Sequence, residues 1–339
     1  MTFAPSPEQP IGTINSILSK DILRSIDNDG DHTYLNIQEE SKTQLPITSE
    51  AMNITVPLTN PNICVTCFDK SFITLKVSVK FNVATTPTIS SATNIAKAVR
   101  YFIGLKHSSE AIGEYSIYHK GKQVSGTLQS NATAESFLYH VYRSEDELTN
   151  RRGIYTKADA AAKMDLSSIC GKFVSLYDLN GATSITIPFT ITIPFNDILC
   201  FQQFTDYPAA LFGALELRFK FNKNAFVFLQ CNPKECLKKY MCNHNIVSSS
   251  TGYAELTNAL STTPDHLAYD KEFSQVGDQN FLITGVSYAS NAVTYTLGYQ
   301  NFTPDTIQIT ECYTTMCGYR ISPEHIEGLR SKFESEPWV

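Results

Sequence analysis

Four side chains of the kinds that bind soft metal ions lie in one short segment: Cys231, Cys236, Cys242 and His244. Thiolate and imidazole are the ligands that zinc prefers in structural sites. Neither pair of cysteines has the tight two-residue spacing of a zinc knuckle, and Cys231 follows a strand pattern. We therefore predict free thiols here and no metal ligands, although the spacing alone leaves zinc binding open.

Two other patterns resemble known sites but lack required residues. Asp27, Asp29 and Asp31 have the spacing of a calcium loop, which needs glycine at its sixth position and an acid at its twelfth. Those positions hold His32 and Gln38, so we predict a solvated acidic turn.

Cys64-Val-Thr-Cys67 has C-x2-C spacing, but it lies in a strand pattern and not in a βαβ unit, which argues against a redox motif. Cys312 and Cys317 also lie in a strand pattern. The nine cysteines are odd in number and no signal peptide precedes them, so we expect reduced thiols.

The sequence contains none of the motifs that carry common catalytic chemistry. G-x-S-x-G, a phosphate loop and H-E-x-x-H are all absent. We therefore predict that the chain is not an enzyme, has no catalytic or cofactor-binding residues and needs no cofactor. His119 is predicted to be exposed beside a hairpin turn and His140 to lie on a helix face. A solvated surface is predicted for the basic residues Lys120, Lys122, Arg143, Arg151 and Arg152.

Overall composition limits the partners. The 339 residues carry a net charge of −6, so the chain as a whole has no basic field for nucleic acid, and we predict no direct sequence-specific nucleic-acid binding. No apolar run reaches the length of a transmembrane helix, so we predict no membrane span.

The elements that would position these residues are mostly strands. From Phe72 to Val83 apolar and polar residues alternate strictly, as expected of a sheet with one buried and one wet face, and Thr74 is assigned to the wet face. The same alternation recurs at 184–193 and 215–221. Seven residues of these runs are predicted to point inward: Leu75, Val77, Val79, Ile187, Ile191, Leu217 and Phe219.

The segment from Ser184 to Leu229 links two such strands in a characteristic order. An apolar alternating strand leads into Pro194-Phe-Asn-Asp-Ile-Leu-Cys-Phe201, then the Asp206-Tyr-Pro208 loop, a charged alternating strand and Ala225-Phe-Val-Phe-Leu229. This order resembles the closing strands of the first jelly roll in double-jelly-roll viral major capsid proteins. The resemblance is greatest to the Polinton/Maverick and adenovirus-hexon-like group.

We therefore predict an all-β chain: a jelly-roll β-sandwich of the viral capsid type, with short helices in long loops and room for the start of a second jelly roll. Residues 1–59 would form an N-terminal arm with an amphipathic helix at 11–26, and 60–231 an eight-stranded first jelly roll. Residues 232–304 would be connecting region and loops, and 305–339 the start of a second jelly roll. Either the chain is the N-terminal part of a longer capsid protein, or its second roll is compact and starts earlier.

Several local elements are predicted from shorter patterns. A hairpin turn is expected at 120–122, a strand or short helix at 95–105, a helix at 132–150 and mostly loop at 232–280. Further strands are expected at 281–289, 292–299 and 306–313, followed by a final helix capped by Ser322.

The resemblance implies a structural major capsid protein subunit that self-assembles into homotrimeric capsomers of an icosahedral virion. Its partners would be other copies of itself and minor capsid proteins, and it would occur in the virion after assembly inside the host cell. Loops 84–135, 145–170 and 232–280 would make the subunit contacts. Two alternatives are a minor, penton-like capsid protein and a carbohydrate-binding jelly-roll module. The lone Trp338 argues against the second, because sugar-binding sandwiches expose aromatic side chains.

Overall fold

The computed structural model describes residues 35–42, 53–105, 108–124, 129–130, 171–198, 201, 206–250, 252–263, 274–275, 280–322, 324, 326–328 and 330–331. The predicted helices at 11–26 and 132–150, the acidic turn at 27–31, and the residues His140, Arg143, Arg151, Arg152 and Trp338 lie outside these ranges.

Strands make up most of the described chain. In order they are β1 (Leu35–Lys42), β2 (Asn53–Pro57), β3 (Val65–Val83), β4 (Thr88–Ser90), β5 (Arg100–Leu105), β6 (Ile112–His119), β7 (Lys122–Gln123), β8 (Gln129–Ser130), β9 (Gly171–Ser175), β10 (Ser184–Pro194), β11 (Asp206–Tyr207), β12 (Leu215–Phe221), β13 (Phe226–Gln230), β14 (Ser274–Gln275), β15 (Asn280–Ala289), β16 (Ala292–Gln300) and β17 (Phe302–Arg320). The α-helices with defined bounds are α1 (Thr93–Ala98), α2 (Ala209–Phe212), α3 (Pro233–Asn243) and α4 (Tyr253–Thr262). Single 3₁₀ turns lie at Ser108–Ala111, Phe195–Asp197 and Lys223–Ala225.

The strands form four sheets. Sheet one has the order β1-β17-β3-β10, with β11 also paired to β3, and sheet two has the order β2-β12-β6-β7, with β8 also paired to β6. Sheet three is β14-β13-β5-β9 and sheet four is β16-β15-β4. Among the described strands, all pairings are antiparallel except that of β15 with β4. The predicted all-β class, with few short helices, is confirmed.

The inward-facing residues predicted from alternation are confirmed. All seven, from Leu75 to Phe219, are at most 4% exposed. Thr74 was assigned to the wet face but is also buried, at 4%. Its cross-strand neighbours are Thr192 on β10 and Tyr313 on β17.

One hydrophobic core joins all four sheets, and Phe226 stands where three of them meet. Its ring centroid lies 5.4 Å from that of Phe81, 5.2 Å from Phe189 and 6.2 Å from Phe221. Phe81 and Phe189 belong to sheet one, Phe221 to sheet two and Phe226 to sheet three. The sheets are therefore layers around a shared aromatic centre.

The long strand β17 belongs to the same sheet as β3. Both strands are 19 residues long, and they pair from Phe302 opposite Val83 to Tyr319 opposite Val65. The strands of 60–231 thus share their sheets with β1, β2 and β17. The eight-stranded first jelly roll at 60–231 stays a prediction. The predicted division at 59, 231 and 304 stays a prediction.

Several local expectations are confirmed. The predicted hairpin turn is present, with Lys120 and Gly121 both at positive φ, as a type I′ turn requires. Strands β15 and β16 follow the predicted bounds within one residue, and β17 extends its prediction at both ends. Residues 95–105 contain both predicted alternatives, since helix α1 leads into strand β5.

Other local expectations are corrected. Residues 232–280 were expected to be mostly loop but contain helices α3 and α4, whose Leu237 and Leu256 are fully buried. Strands β1 and β2 lie in the predicted arm. The final helix is present at 324, 326–328 and 330–331, but the buried hydroxyl of Ser322 makes no hydrogen bond and so does not cap it.

Glu255 on helix α4 caps the N-terminus of helix α1, although the two residues in contact, Asn94 and Glu255, are 161 residues apart in the sequence. One carboxylate oxygen accepts hydrogen bonds from the backbone N–H groups of Asn94 and Ile95, both at 3.0 Å, and the other accepts one from the Asn94 side chain at 2.8 Å. Negative charge at a helix start complements its unpaired N–H groups and its dipole.

The substitution Glu255→Gln is therefore expected to lower the free energy of unfolding by about 0.5–2 kcal/mol, because the charge is lost from a helix cap. Urea denaturation at neutral pH measures this. Glu216→Gln is the matched control, since Glu216 lies on a strand and forms an exposed ion pair with Arg218, so its loss should cost about 0.5 kcal/mol or less. Equal effects of the two substitutions would contradict the capping role.

Candidate assembly surface

The four candidate zinc ligands do not come together. Cys231 and Cys236 are buried and their thiols are hydrogen-bonded, and this contact, followed by burial, raises the pKa of Cys231 well above its ordinary value. Cys242 and His244 are exposed towards the other end of α3, where the His244 ring stacks on Tyr240 at 4.0 Å. Among the described residues, no three His, Cys, Asp or Glu side chains form a group that could hold a metal ion.

Three other cysteines lie near the start of β3 and the end of β17, which pair with each other. Cys317 on β17 lies directly opposite Cys67 on β3, and Cys67 lies directly opposite Asp206 on β11. Cys67 is buried and hydrogen-bonded to the Asp206 and Tyr319 side chains, and burial, followed by the Asp206 contact, raises the pKa of Cys67 to about 12. Cys64 contacts the backbone of Ile321 through its sulfur, 3.4 Å from the nitrogen.

A bulge in β3 interrupts the ladder beside this cluster. Thr315 pairs with Phe72 and Cys317 pairs with Cys67, so residues 68–71 of β3 have a single counterpart, Met316, on β17. The hydroxyl of Ser71 closes the gap: it accepts from the Cys317 N–H at 2.9 Å and donates to the Cys67 carbonyl at 2.6 Å. A side chain thus replaces a direct backbone hydrogen bond at this point.

The histidine and the lysines beside the hairpin turn fit their predictions only in part. Lys120 and Lys122 are exposed, in keeping with a solvated surface. His119 was predicted to be exposed but is half-buried, with Nε2 2.7 Å from the carbonyl oxygen of Phe212. The correction follows from α2, which packs its last residue against the end of β6.

The outer edge of β16 is the described surface best suited to contact another chain. Within the described ranges β16 pairs only with β15, and it contains no charged residue and no proline to discourage a further strand. On one face of β16, the side chains of Val293 and Tyr295 are partly buried and pack against the core. The row continues into solvent at Leu297, 39% exposed, and Tyr299, 62% exposed.

A shallow groove of about 440 Å³ lies between the β2–β3 connection and α2. Its walls are mostly small and apolar, and include Thr59, Ile63, Cys64, Ala210, Leu215 and Ile326. Among the described residues that line the groove, no acids, bases and nucleophiles form a convergent set.

No helix among the described residues is both long enough and apolar enough to cross a membrane.

Comparison with known proteins gives matches at the level of structure alone. No protein-family model matches the chain, and no curated protein sequence matches it. Among solved structures, the chain is similar to the Sputnik virophage particle, with 11% identity, a TM-score of 0.39, and coverage of 94% of this chain and 53% of that one. It is similar to the Faustovirus major capsid protein, with 8% identity, a TM-score of 0.35, and coverage of 94% and 62%.

A third similar structure is the PBCV-1 virus capsid, with 9% identity, a TM-score of 0.33, and coverage of 88% of this chain and 45% of that one. The chain therefore spans about half the length of the structures it matches.

Proposed function

We propose that this chain is a structural major capsid protein subunit, similar to the Polinton/Maverick and adenovirus-hexon-like group, that self-assembles into homotrimeric capsomers of an icosahedral virion. Minor capsid proteins would be further partners. Assembly would take place inside the host cell, and the protein would have no enzymatic role, no cofactor and no direct sequence-specific contact with nucleic acid.

The observation that carries this proposal is the signature segment from Ser184 to Leu229. Its described residues include β10, β12 and β13 in the predicted order, with the predicted inward residues of β10 and β12 buried, and the expected loop at 206–208 contains the two-residue strand β11. These four strands supply one member or more to each of sheets one, two and three, so the segment that bears the resemblance also organises the core.

The β16 edge supports self-association, because an uncharged edge strand with exposed Leu297 and Tyr299 is costly to leave bare. Symmetric closure between identical subunits is the usual way in which proteins cover such surfaces. The predicted subunit contacts of loops 84–135 and 232–280 stay predictions, and in the second range they would fall to its exposed residues, because α3 and α4 bury one face in the core.

Light scattering on the purified chain tests the proposal. We expect a species with three times the mass of one chain, and we expect Leu297→Glu combined with Tyr299→Glu to shift it to monomer, because charges on the edge oppose strand pairing. The control is Tyr177→Glu, on a side chain that is 44% exposed and lies outside the three loops predicted to make subunit contacts.

A strictly monomeric chain at high concentration would contradict self-assembly. If the monomer also bound sugars on a glycan array, the carbohydrate-binding module would replace the capsid proposal.

A further inference from the structure

Cys67 and Cys317 occupy opposed positions on neighbouring antiparallel strands. Residues directly opposite each other in such a pair have Cα atoms about 4.5–5.5 Å apart, and disulfides span Cα separations of about 4.4–6.8 Å. Opposed side chains also lie on the same face of a sheet. Here the shared neighbour Tyr319, two residues after Cys317, is hydrogen-bonded to Cys67.

The backbone around this pair can adjust its spacing. At the β3 bulge the two strands are joined through the Ser71 hydroxyl and not by a direct backbone bond. Cys317 is half-buried and so can be reached by a small reagent, whereas Cys67 is shielded and can be reached from Cys317.

We propose that Cys67 and Cys317 form an intrachain disulfide when the protein meets an oxidising solution of small-molecule disulfides. Neither cysteine forms a disulfide in the structure. The geometry of the two cysteines does not depend on the proposed function. The expectation that the bond forms after a particle leaves the reducing host cell does rest on the proposed capsid function.

The chemistry is two successive thiol–disulfide exchanges. The Cys317 thiolate attacks one sulfur of oxidised glutathione, forms a mixed disulfide and releases one glutathione thiolate. The Cys67 sulfur, after losing its proton to solvent, then attacks the Cys317 sulfur of the mixed disulfide and releases the second glutathione. The protein loses two hydrogens, and one oxidised glutathione becomes two reduced molecules. Burial of Cys67 makes the second step the slow one, because only the thiolate attacks.

The bond would fasten β17 to β3 across a very long loop. The Ser71–Cys317 hydrogen bond beside it already spans 246 residues of chain. A crosslink that closes a long loop restricts the unfolded chain strongly, so we expect the oxidised protein to melt at a higher temperature than the reduced one.

The test incubates the folded chain with oxidised glutathione, blocks the remaining thiols and maps tryptic peptides without reduction. Cys64 and Cys67 fall in one tryptic peptide, as do Cys312 and Cys317, because no lysine or arginine separates either pair. The map is therefore made on the unmodified chain and on the variant that combines Cys64→Ser with Cys312→Ser. We expect a peptide linked through Cys67 and Cys317 in both.

The matched controls separate this pair from general thiol oxidation. Cys317→Ser should abolish the linked peptide and the rise in melting temperature, whereas Cys242→Ser, at an exposed thiol on α3, should change neither. Glutathione left on Cys317 as a stable mixed disulfide, a link from Cys67 to another cysteine, or no link at all would each overturn the proposal. Because the readout is a bond within one chain, a monomeric protein that forms it would refute the capsid function and leave the disulfide standing.

Discussion

Replacing Phe226 with alanine is expected to lower the free energy of unfolding by about 3–5 kcal/mol, the usual cost of removing a buried phenylalanine from a well-packed core. The side chain is fully buried and contacts Phe81, Phe189 and Phe221. Its loss leaves a cavity where three sheets meet, and sheets collapse into such a gap less readily than loops do. Chemical denaturation followed by tyrosine and tryptophan fluorescence measures the change.

Two variants serve as controls for Phe226→Ala. Phe226→Leu keeps most of the apolar volume and should cost clearly less than Phe226→Ala. Tyr177→Ala removes an aromatic side chain that is 44% exposed and whose ring contacts the Lys97 ammonium group. Its cost should be about 1 kcal/mol or less. If Phe226→Ala cost no more than Tyr177→Ala, the aromatic centre would not hold the layers together.

Gln230→Leu is expected to lower the free energy of unfolding by about 1–3 kcal/mol, because a buried backbone N–H would lose its hydrogen-bond partner. Gln230 is 1% exposed, and its amide accepts from the N–H of Ile283 at 3.1 Å and donates to the carbonyl of the same residue at 3.3 Å. The Gln230 side-chain amide thus makes the two hydrogen bonds that a neighbouring backbone would make, and it links sheet three to sheet four. The Tyr101 hydroxyl also donates to that carbonyl, so chiefly the N–H is orphaned.

The matched control for this substitution is Gln308→Leu, since Gln308 is exposed on β17. Its effect should lie within about 0.5 kcal/mol of zero, as for most surface substitutions. Hydrogen exchange offers a second readout, because the Ile283 amide should exchange much faster in Gln230→Leu than in the parent protein. Unchanged protection of that amide would contradict the role of Gln230.

Strands with a strict period of two could be predicted from the sequence, with nearly correct bounds at β10 and β12, whereas β3 begins at Val65, well before the predicted start at Phe72. The alternation around Leu75, Ile191 and Leu217 reports which face meets the core, and that information is local. The partners of a strand are not local. Nothing in the sequence of 302–320 indicates that it pairs with β3, because register depends on which faces remain to be covered after the rest of the chain has folded.

Two helices within 232–280 were missed, although one of them has a readable N-terminal capping pattern. Asn232 caps α3 by accepting from the Lys234 N–H, Pro233 occupies the first turn and Glu235 follows, the same signals that led us to expect a cap at Ser322. The many polar residues of 232–280 hid this start, since α3 buries only a narrow side against the core. At Ser322 the residue types were favourable, but the hydroxyl is turned away from any partner.

Of the candidate sites, the sequence could show only which residue types were present. The predicted thiol segment divides into a buried pair and an exposed end because α3 carries Cys236 and Cys242 on different sides. The pairing of Cys67 with Cys317 could not be foreseen, because it depends on the β3–β17 register.

The position of β17 also sets the order of events during synthesis. Strand β3 leaves the ribosome early. One of its two edges has no partner until β17 has been made, and the Ser71–Cys317 contact between the two strands spans 246 residues. Until then an apolar strand with an open edge must stay in solution, which is the condition under which nascent chains aggregate or need chaperones. Contacts this distant in sequence also slow folding. A ribosome-bound chain that ends before 302 should therefore bind chaperones strongly, and completion of β17 should release it.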